Sequence, residues 1–148
     1  MQISTFLWFD SGAEVAAELY TSLFADSRIH EIHQEPNGQV ATVEFTIEGQ
    51  RCIAYNGGPG RGIADAAFSM HVECETQDDI DRVWEALAHG GIEGAGGYVI
   101  DRFGVPWQVL PRVLPELLRS GDTAAARVLS LVHTMAKIDI QELLDAHA

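Results

Sequence analysis

The sequence has few cysteines, few basic residues and no long apolar run. Its two cysteines, Cys52 and Cys74, lack the C-x-x-C spacing of zinc sites, so we expect two small buried thiols. Nine lysines and arginines stand against 22 aspartates and glutamates, which gives a formal net charge of −13. Because nucleic acids and anionic membranes are bound through Lys and Arg, this balance disfavours both as partners.

The chain also lacks the segments that would direct it to or through a membrane. No stretch approaches the ~20 apolar residues of a membrane span. The first residues, MQISTFLWFD, contain no basic segment of a secretory signal. We therefore expect a cytoplasmic protein. Its 148 residues, 47% of them hydrophobic, are typical of one compact domain with a real core.

The order strand, helix and then antiparallel strands is predicted twice along the chain, first in residues 3–56. Residues 3–9 predict a strand, and Ser11 with Glu14 predicts the capping box of a helix. Strict alternation over 41–48 predicts a half-buried strand that turns near Gly49 into a second strand. The helix is expected to bury one face, made of Val15, Ala16, Leu19, Tyr20 and Leu23.

After a glycine-rich linker over 57–66, the same order begins again over 67–110. Thr76 is expected to cap a helix that buries Ile80, Val83, Trp84 and Leu87. Residues 111–148 predict a helical extension with caps at Asp122 and Asp139, and its apolar stripe should pack on the sheet. The whole chain, 1–148, is therefore predicted as a single α+β domain of two βαβββ modules with C-terminal helices.

Five stretches carry a family resemblance: FLWFDSGAEVAAELYTSLF, AYNGGPG, CETQDDIDRVWEAL, DRFGVPWQVLPRVLPELL and the tail ending MAKIDIQELL. Together they resemble the PhnB-like branch of the vicinal oxygen chelate superfamily, which has the glyoxalase/bleomycin-resistance fold. The resemblance implies two half-barrel sheets that enclose a cavity, and a homodimer. Proteins of this branch are often labelled 3-demethylubiquinone-9 3-methyltransferase.

The resemblance also bears on whether a metal is bound. Metal-dependent members hold a divalent ion with His, Gln or Glu side chains from four strands, and their last ligand is a Glu where this chain has Gln108. An amide binds hard cations less strongly than a carboxylate. The first strand offers only Thr5 near the expected position, and His71 is the one plausible nitrogen ligand on these strands. We therefore expect no metal and no other cofactor.

The candidate cavity residues are Gln108, His71, Asn56, Trp8 and Glu44. Alternation predicts that Gln108 faces the cavity while its neighbours on both sides face the helix-covered core. Three of the others have a plainer alternative. His71 fits a structural hydrogen bond, Trp8 fits core packing, and Glu44 is a surface charge if its side of the strand faces solvent.

The leading hypothesis is a metal-free PhnB-like protein that binds an unidentified small molecule, with no residue assigned a catalytic role. The alternative is a metal-dependent or acid–base lyase or isomerase of the glyoxalase superfamily. The second alternative is the methyltransferase of the family label, which the sequence disfavours. Gly94–Gly97 follows a predicted helix and precedes a strand, the wrong order for the glycine turn of a Rossmann-type methyltransferase.

Overall fold

Two four-stranded sheets, one in each half of the chain, form the framework of the protein. The computed structural model describes residues 1–59 and 67–148, so most of the predicted linker, 60–66, lies outside the described residues. The chain divides into two compact units, with the boundary between residues 65 and 66. The α+β architecture of two strand–helix–sheet modules is confirmed, while the single-domain assignment stays a prediction.

In its described residues, 1–59, the first unit is a mixed sheet with one helix. Strand order is β1-β4-β3-β2, with β1 parallel to β4 and the other neighbours antiparallel. Its elements are β1 (Thr5–Phe9), α1 (Ala13–Leu23), β2 (Arg28–Gln34), β3 (Val40–Ile47) and β4 (Gln50–Asn56).

Alternation along β3 places Val43, Phe45 and Ile47 in the core, as predicted. The predicted face of α1 is wrong by about a quarter turn, since Val15 is 47% exposed. Small side chains face the sheet instead, which lets the helix approach it closely and brings the ring of Tyr20 within 6.3 Å of the ring of Phe45. The residues that α1 buries are Ala13, Ala16, Ala17 and Tyr20.

The second unit repeats this plan with strand order β5-β8-β7-β6, in which β5 and β8 are parallel. The predicted buried face of α2 and its cap are confirmed, since the Thr76 side chain accepts a hydrogen bond from the Asp79 backbone N–H. The two-residue strand β6 is the first of the three strands after α2 in the predicted βαβββ module. The elements are β5 (Met70–Cys74), α2 (Gln77–Ala88), β6 (Ile92–Glu93), β7 (Tyr98–Ile100) and β8 (Pro106–Pro111).

Three helices complete the second unit and share an apolar cluster of their own. They are α3 (Leu114–Leu118), α4 (Thr123–Val132) and α5 (Ile140–His147). Asp122 and Asp139 cap α4 and α5 as predicted. The fully buried members of the cluster are Val128, Ile138 and Leu143.

The extension is tied to the rest of its unit by hydrogen bonds as well as by apolar packing. The side chain of Gln77 on α2 donates to the carbonyl of Ile138 and accepts from the backbone N–H of Ile140, both at 2.9 Å. The backbone N–H groups of Gly96 and Gly97 donate to the carbonyls of Met135 and Ala136. Within the described ranges, none of the helices has the length and apolar character needed to cross a membrane.

Candidate functional site

Each sheet has one face covered by the helix of its unit and an opposite face, which we call the distal face. On the first sheet, alternation assigns the residues between the buried ones to the distal face. These are Phe6 and Trp8 of β1, Thr42, Glu44 and Thr46 of β3, and Arg51, Ile53 and Tyr55 of β4.

Three aromatic rings form a cluster on this distal face, which we call the aromatic platform: Phe6, Trp8 and Tyr55. Trp8 and Tyr55 are cross-strand neighbours whose rings meet edge to face with centroids 4.9 Å apart. The ring of Phe6 lies 5.9 Å from that of Tyr55. Such separations are typical of favourable aromatic pairs. The sequence-predicted site residue Trp8 is therefore half-buried on a sheet face and packs against other rings.

Two glycines hold the indole of Trp8 in position. Its Nε1 donates to the carbonyl of Gly58 at 3.0 Å. A Cβ atom at Gly57 would come within 2.2 Å of the Trp8 ring, so only glycine admits the ring at this position. The segment after β4 thus fixes Trp8 through a hydrogen bond and through the absence of a side chain.

Glu44 lies on the distal face of the first sheet, and whether it faces a cavity or is a surface charge stays a prediction. It is half-buried and pairs with Arg51, with its Oε2 3.1 Å from Nη2 of the arginine. The other terminal nitrogen of Arg51 donates to the side chain of Gln2 at 2.6 Å. Arg51 was not identified from the sequence, although the tight hairpin that places it opposite Thr46 was a usable signal.

Asn56 lies on the opposite side of the first sheet from Trp8 and Glu44. Its Oδ1 accepts from the backbone N–H of Ala13, while its Nδ2 donates to the carbonyl of Val40 and to Glu14. The predicted Ser11 cap is therefore wrong, since Gly12 occupies the N-cap position and makes no side-chain bond. Asn56 performs this structural role from a distant strand, and a ligand-binding role for it stays a prediction.

On the distal face of the second sheet, three polar side chains lie side by side. Gln108 on β8 is paired in register with His71 on β5 and with Tyr98 on β7. Gln108 is half-buried, whereas Trp107 and Val109 are 1% and 0% exposed on the helix side. His71 is more exposed and has its Nε2 3.8 Å from a carboxylate oxygen of Glu73. That this face lines a cavity stays a prediction.

The turn before β8 fixes the orientation of Gln108. Asp101, 3% exposed, accepts hydrogen bonds from the backbone N–H groups of Phe103 and Val105 and from Nε1 of Trp107. Gly104 in this turn has a positive φ of 90°, which glycine adopts at little cost. With Trp107 held on the core side, strand alternation leaves Gln108 on the distal face.

The donor set does not fit a divalent metal. The distal face of the second sheet offers the imidazole of His71, the carboxylate of Glu73 beside it and the amide of Gln108. In the first sheet, the paired residues of β1 and β4 are Phe6 with Ile53 and Trp8 with Tyr55. Across residues 1–59 and 67–148, no three His, Cys, Asp or Glu side chains group as metal ligands. Each sheet by itself therefore supplies too few grouped donors for tight binding of a divalent ion.

Both cysteines are free and buried, as expected. Burial raises the pKa of the Cys52 thiol to about 11. Burial is also the main reason that the pKa of Cys74 is raised to about 11, with a smaller contribution from the charge of Asp79. Because the thiolate is the nucleophile, neither thiol is suited to nucleophilic catalysis near neutral pH.

The first unit also contains an open cleft of about 890 Å³ at the N-terminal end of α1. It lies between that end of the helix and the β2–β3 turn, and three of its lining residues are acidic: Asp10, Glu14 and Glu35. Of the five sequence-predicted site residues, only Asn56 lines it, through the side that caps the helix. The cleft is thus separate from the distal face of the first sheet.

Comparison with known proteins gives a consistent family and fold. The family model described as 3-demethylubiquinone-9 3-methyltransferase matches residues 1–110. A solved structure of a PhnB protein from Bacillus cereus, described as a 3-demethylubiquinone-9 3-methyltransferase, is 32% identical with a TM-score of 0.66. The match covers 75% of this chain and 99% of that one. A comparison with curated proteins gives no match.

More distant structures share the fold. A protein from Pseudomonas aeruginosa is 21% identical with a TM-score of 0.57, and the match covers 75% of this chain and 97% of that one. The fosfomycin resistance protein FosX from Listeria monocytogenes, solved with Mn(II) and sulfate, is 11% identical with a TM-score of 0.53. That match covers 74% of this chain and 89% of FosX. The C-terminal helices from residue 111 onward lie outside the family model.

Proposed function

This chain belongs to the family described as 3-demethylubiquinone-9 3-methyltransferase, PhnB-like proteins of the glyoxalase/bleomycin-resistance fold, and we propose that it binds a small organic molecule without a metal ion. The ligand makes contact with the distal face of the second sheet, on which Gln108 lies. The proposal rests on the polar groups that this face presents, together with a donor set that is too poor for a metal.

The observation that carries the proposal is the amide of Gln108. It is half-buried, and within the described part of the chain no group makes a hydrogen bond to it. Polar side chains that are partly withdrawn from water usually have partners, because an unmade hydrogen bond costs ~1–3 kcal/mol when the group is fully buried. With His71 and Tyr98 on either side, the amide offers a donor and an acceptor to a ligand.

The test is a thermal-shift screen of the metal-stripped protein against a panel of metabolites, with and without added divalent metals. A ligand of the native state raises the melting temperature. We expect at least one organic compound to do so in the presence of a chelator. Gln108→Leu should then weaken binding about tenfold, the equivalent of ~1.4 kcal/mol. Gln34→Leu, on the exposed strand β2, is the matched control and should bind as the parent does.

Two results would contradict the proposal. One is stabilisation that appears only when a divalent metal is added. The other is a ligand whose affinity is the same for the parent protein and for Gln108→Leu.

An acid–base lyase or isomerase is the second candidate, because His71 shares the distal face with Gln108 and is close to Glu73. A neutral imidazole is a suitable general base. If the ligand of the screen is converted to a product, His71→Gln should abolish turnover while ligand binding is retained. Loss of binding and turnover together would assign His71 to binding alone.

Methyl transfer, which the family description names, has less support from the fold. Both sheets are mixed, with a single parallel pair each, rather than the parallel sheet of a Rossmann-type methyltransferase. The amides of the Gly94–Gly97 segment are used within the protein, where Gly94 bonds to Tyr98 and Gly96 and Gly97 bond to the C-terminal extension. Calorimetric titration with S-adenosylmethionine tests this function, and we expect no heat of binding.

A further inference from the structure

The chain has two asparagines, Asn37 and Asn56, and a glycine follows each of them. We propose that Asn37 is a site of spontaneous deamidation, which converts its side-chain amide to a carboxylate, and that the fold protects Asn56 from the same reaction. Asn37 lies in the turn between β2 and β3. Its modification is independent of the ligand binding proposed above.

The reaction consumes only water. The backbone nitrogen of Gly38 attacks Cγ of Asn37 and loses its proton to the solvent. The side-chain nitrogen takes up a proton and leaves as ammonia, so that a cyclic succinimide joins the two residues. Water then opens the ring at one carbonyl to give aspartate or at the other to give isoaspartate. Glycine favours the attack because it has no side chain to hinder it and has the most permissive backbone.

The backbone nitrogen that must attack is accessible at Asn37. Both Asn37 and Gly38 are exposed. Apart from its chain neighbours, a Cβ atom placed at Gly38 would have no atom within 4 Å, so no other part of the protein crowds the reacting groups. Ring closure can therefore take place without displacing packed side chains.

The hydrogen bonds around Asn37 are all made within its own turn. The N–H of Gly38 donates to the carbonyl of Glu35 at 2.8 Å, and Nδ2 of Asn37 donates to the exposed side chain of Gln39 at 3.2 Å. Bonds in an exposed turn open at little cost in free energy. The backbone N–H of Gln39 donates to Oδ1 at 2.9 Å, which stabilises the negative charge that this oxygen gains during the attack.

Asn56 has the same sequence neighbour but is bonded to two other elements, α1 and β3. As at Asn37, its Oδ1 accepts from a backbone N–H, here that of Ala13. Its Nδ2 differs, because it donates to the carboxylate of Glu14 and to the carbonyl of Val40, each at 3.0 Å. Ring closure draws Cγ onto the backbone nitrogen and pulls the amide away from these partners, so all three bonds oppose the reaction.

The attacking nitrogen is also restrained at the second site. The N–H of Gly57 donates to the carbonyl of Phe9 at 3.0 Å, which extends the pairing of β1 with β4. A Cβ atom at Gly57 would come within 2.2 Å of the ring of Trp8, so this backbone is packed against an indole. The fold therefore restrains both reacting groups at Asn56 and neither at Asn37.

Deamidation of Asn37 changes the charge of the surface and the course of the turn. Asn37 lines the open cleft at the N-terminal end of α1 together with Asp10, Glu14 and Glu35, so a further carboxylate appears among three. Isoaspartate also adds its Cβ atom to the main chain between Glu35 and Gln39, whose backbone groups are joined by a hydrogen bond of 2.7 Å. The modified protein is therefore more acidic and can be separated by anion exchange.

The test follows both asparagines in one sample of the full chain, incubated in mildly alkaline buffer. Arg51 lies between them, so trypsin places them on separate peptides for mass spectrometry. In the folded protein we expect Asn37 to deamidate at least about tenfold faster than Asn56, the equivalent of ~1.4 kcal/mol. In guanidinium chloride the two rates should be similar, because both sites have the same Asn-Gly sequence and the protection is lost. Protein isoaspartyl methyltransferase with labelled S-adenosylmethionine should mark the peptide of Asn37.

Variants separate the site from its protection. Asn37→Gln should abolish the label, because a longer side chain must close a larger ring. Glu14→Ala removes one partner of Asn56 and should accelerate its deamidation by roughly two- to tenfold without affecting Asn37. Glu18→Ala, at an exposed position of the same helix, is the matched control and should leave both rates unchanged.

Equal rates at the two asparagines in the folded protein would overturn the proposal, as would a folded protein in which Asn56 reacts first. A rate difference that persists in guanidinium chloride would assign it to the local sequence rather than to the fold. An Asn56 rate that Glu14→Ala leaves unchanged would refute the hydrogen-bond account of the protection. All of these outcomes are measured without a ligand, so they are distinct from success or failure of the metabolite screen.

Discussion

The amide oxygen of Asn56, at the end of β4, accepts a hydrogen bond of 2.9 Å from the backbone N–H of Ala13, the first residue of α1. The two residues are 43 positions apart, so this contact links helix α1 to β4, the last strand of its sheet in chain order. Helix N-termini leave backbone donors that must be satisfied, and here a strand residue supplies the acceptor in place of a local cap.

We expect Asn56→Ala to destabilise the protein by ~1–3 kcal/mol. The substitution removes the cap of α1 and leaves the Val40 carbonyl without its amide donor. Ser11→Ala is the control. The sequence predicts Ser11 as the cap, but in the structure Gly12 occupies the N-cap position and makes no side-chain hydrogen bond. Urea unfolding measures both, and equal effects of the two substitutions would refute the capping role of Asn56.

Two neighbouring glycines, whose backbone N–H groups donate to the C-terminal extension, can be compared by the same substitution. Gly96 and Gly97 have φ angles of 76° and 72°, but only at Gly97 would a Cβ meet the backbone, 2.5 Å from the Val109 carbonyl oxygen. We expect Gly96→Ala to cost ~1–2 kcal/mol for the left-handed backbone. Gly97→Ala should cost clearly more, because β8 must shift to admit the methyl group. Thermal unfolding midpoints in the opposite order would contradict this account.

Trp107→Phe should destabilise the protein more than Trp84→Phe. The first substitution removes the indole donor to the buried carboxylate of Asp101, where water has little access, and we expect a cost of ~1–3 kcal/mol. The second removes a bond of 2.8 Å to Glu93, which is exposed and can turn to solvent. Both replacements lose a similar volume from the core, so the difference in urea unfolding isolates the hydrogen bond. Equal losses would argue that packing alone accounts for Trp107.

The ion pair between Lys137 and Asp81, with 2.9 Å between Nζ and Oδ1, makes stability depend on pH. The hydrogen bond from Lys137, followed by that from Gln77, lowers the pKa of Asp81, and the bond to Asp81 raises the pKa of Lys137. A lowered carboxyl pKa stabilises the fold above the unfolded value of ~3.9, and a raised amine pKa does so below ~10.4. The contribution is therefore lost as the pH falls through the folded pKa of Asp81 or rises through that of Lys137.

Asp81→Asn should consequently lower the urea midpoint near pH 7 and have a smaller effect at a pH below the lowered pKa of Asp81, where the parent carboxyl is itself protonated. Lys137→Met should give no further loss in the Asp81→Asn background, as in a double-mutant cycle. Both side chains are 39–40% exposed, so the effect should also decrease at high salt. An Asp81→Asn effect that is the same at both pH values would show that the charge is not responsible.

We further propose that the protein forms a homodimer. Strand β2 is an edge strand, and almost all of its residues are exposed. Such edges are usually covered by a partner or another element. Light scattering at micromolar concentration should give twice the 16.1 kDa of the chain. A mass of one chain at that concentration would refute the proposal.

Much of the local structure could be predicted from the sequence, because its causes are local. Thr76, Asp122 and Asp139 each accept a hydrogen bond from a backbone N–H three residues later. The capping residue and its partner therefore lie within one short stretch of sequence. The alternation of β3 and the spacing of apolar residues in α2 predict which residues are buried. The stretches that resemble PhnB-like proteins were sufficient for the family and fold, both now confirmed.

Tertiary structure decided the features that depend on distant partners. Asn56 displaced Ser11 as the cap of α1 because sheet pairing brings the end of β4 to the start of the helix. Strand pairing likewise set Gln108 between His71 and Tyr98, whereas its distal orientation followed from alternation alone. Contacts between residues far apart in the chain depend on how strands pair and helices pack, and a hydrophobic pattern specifies which residues are buried without specifying which residues they meet.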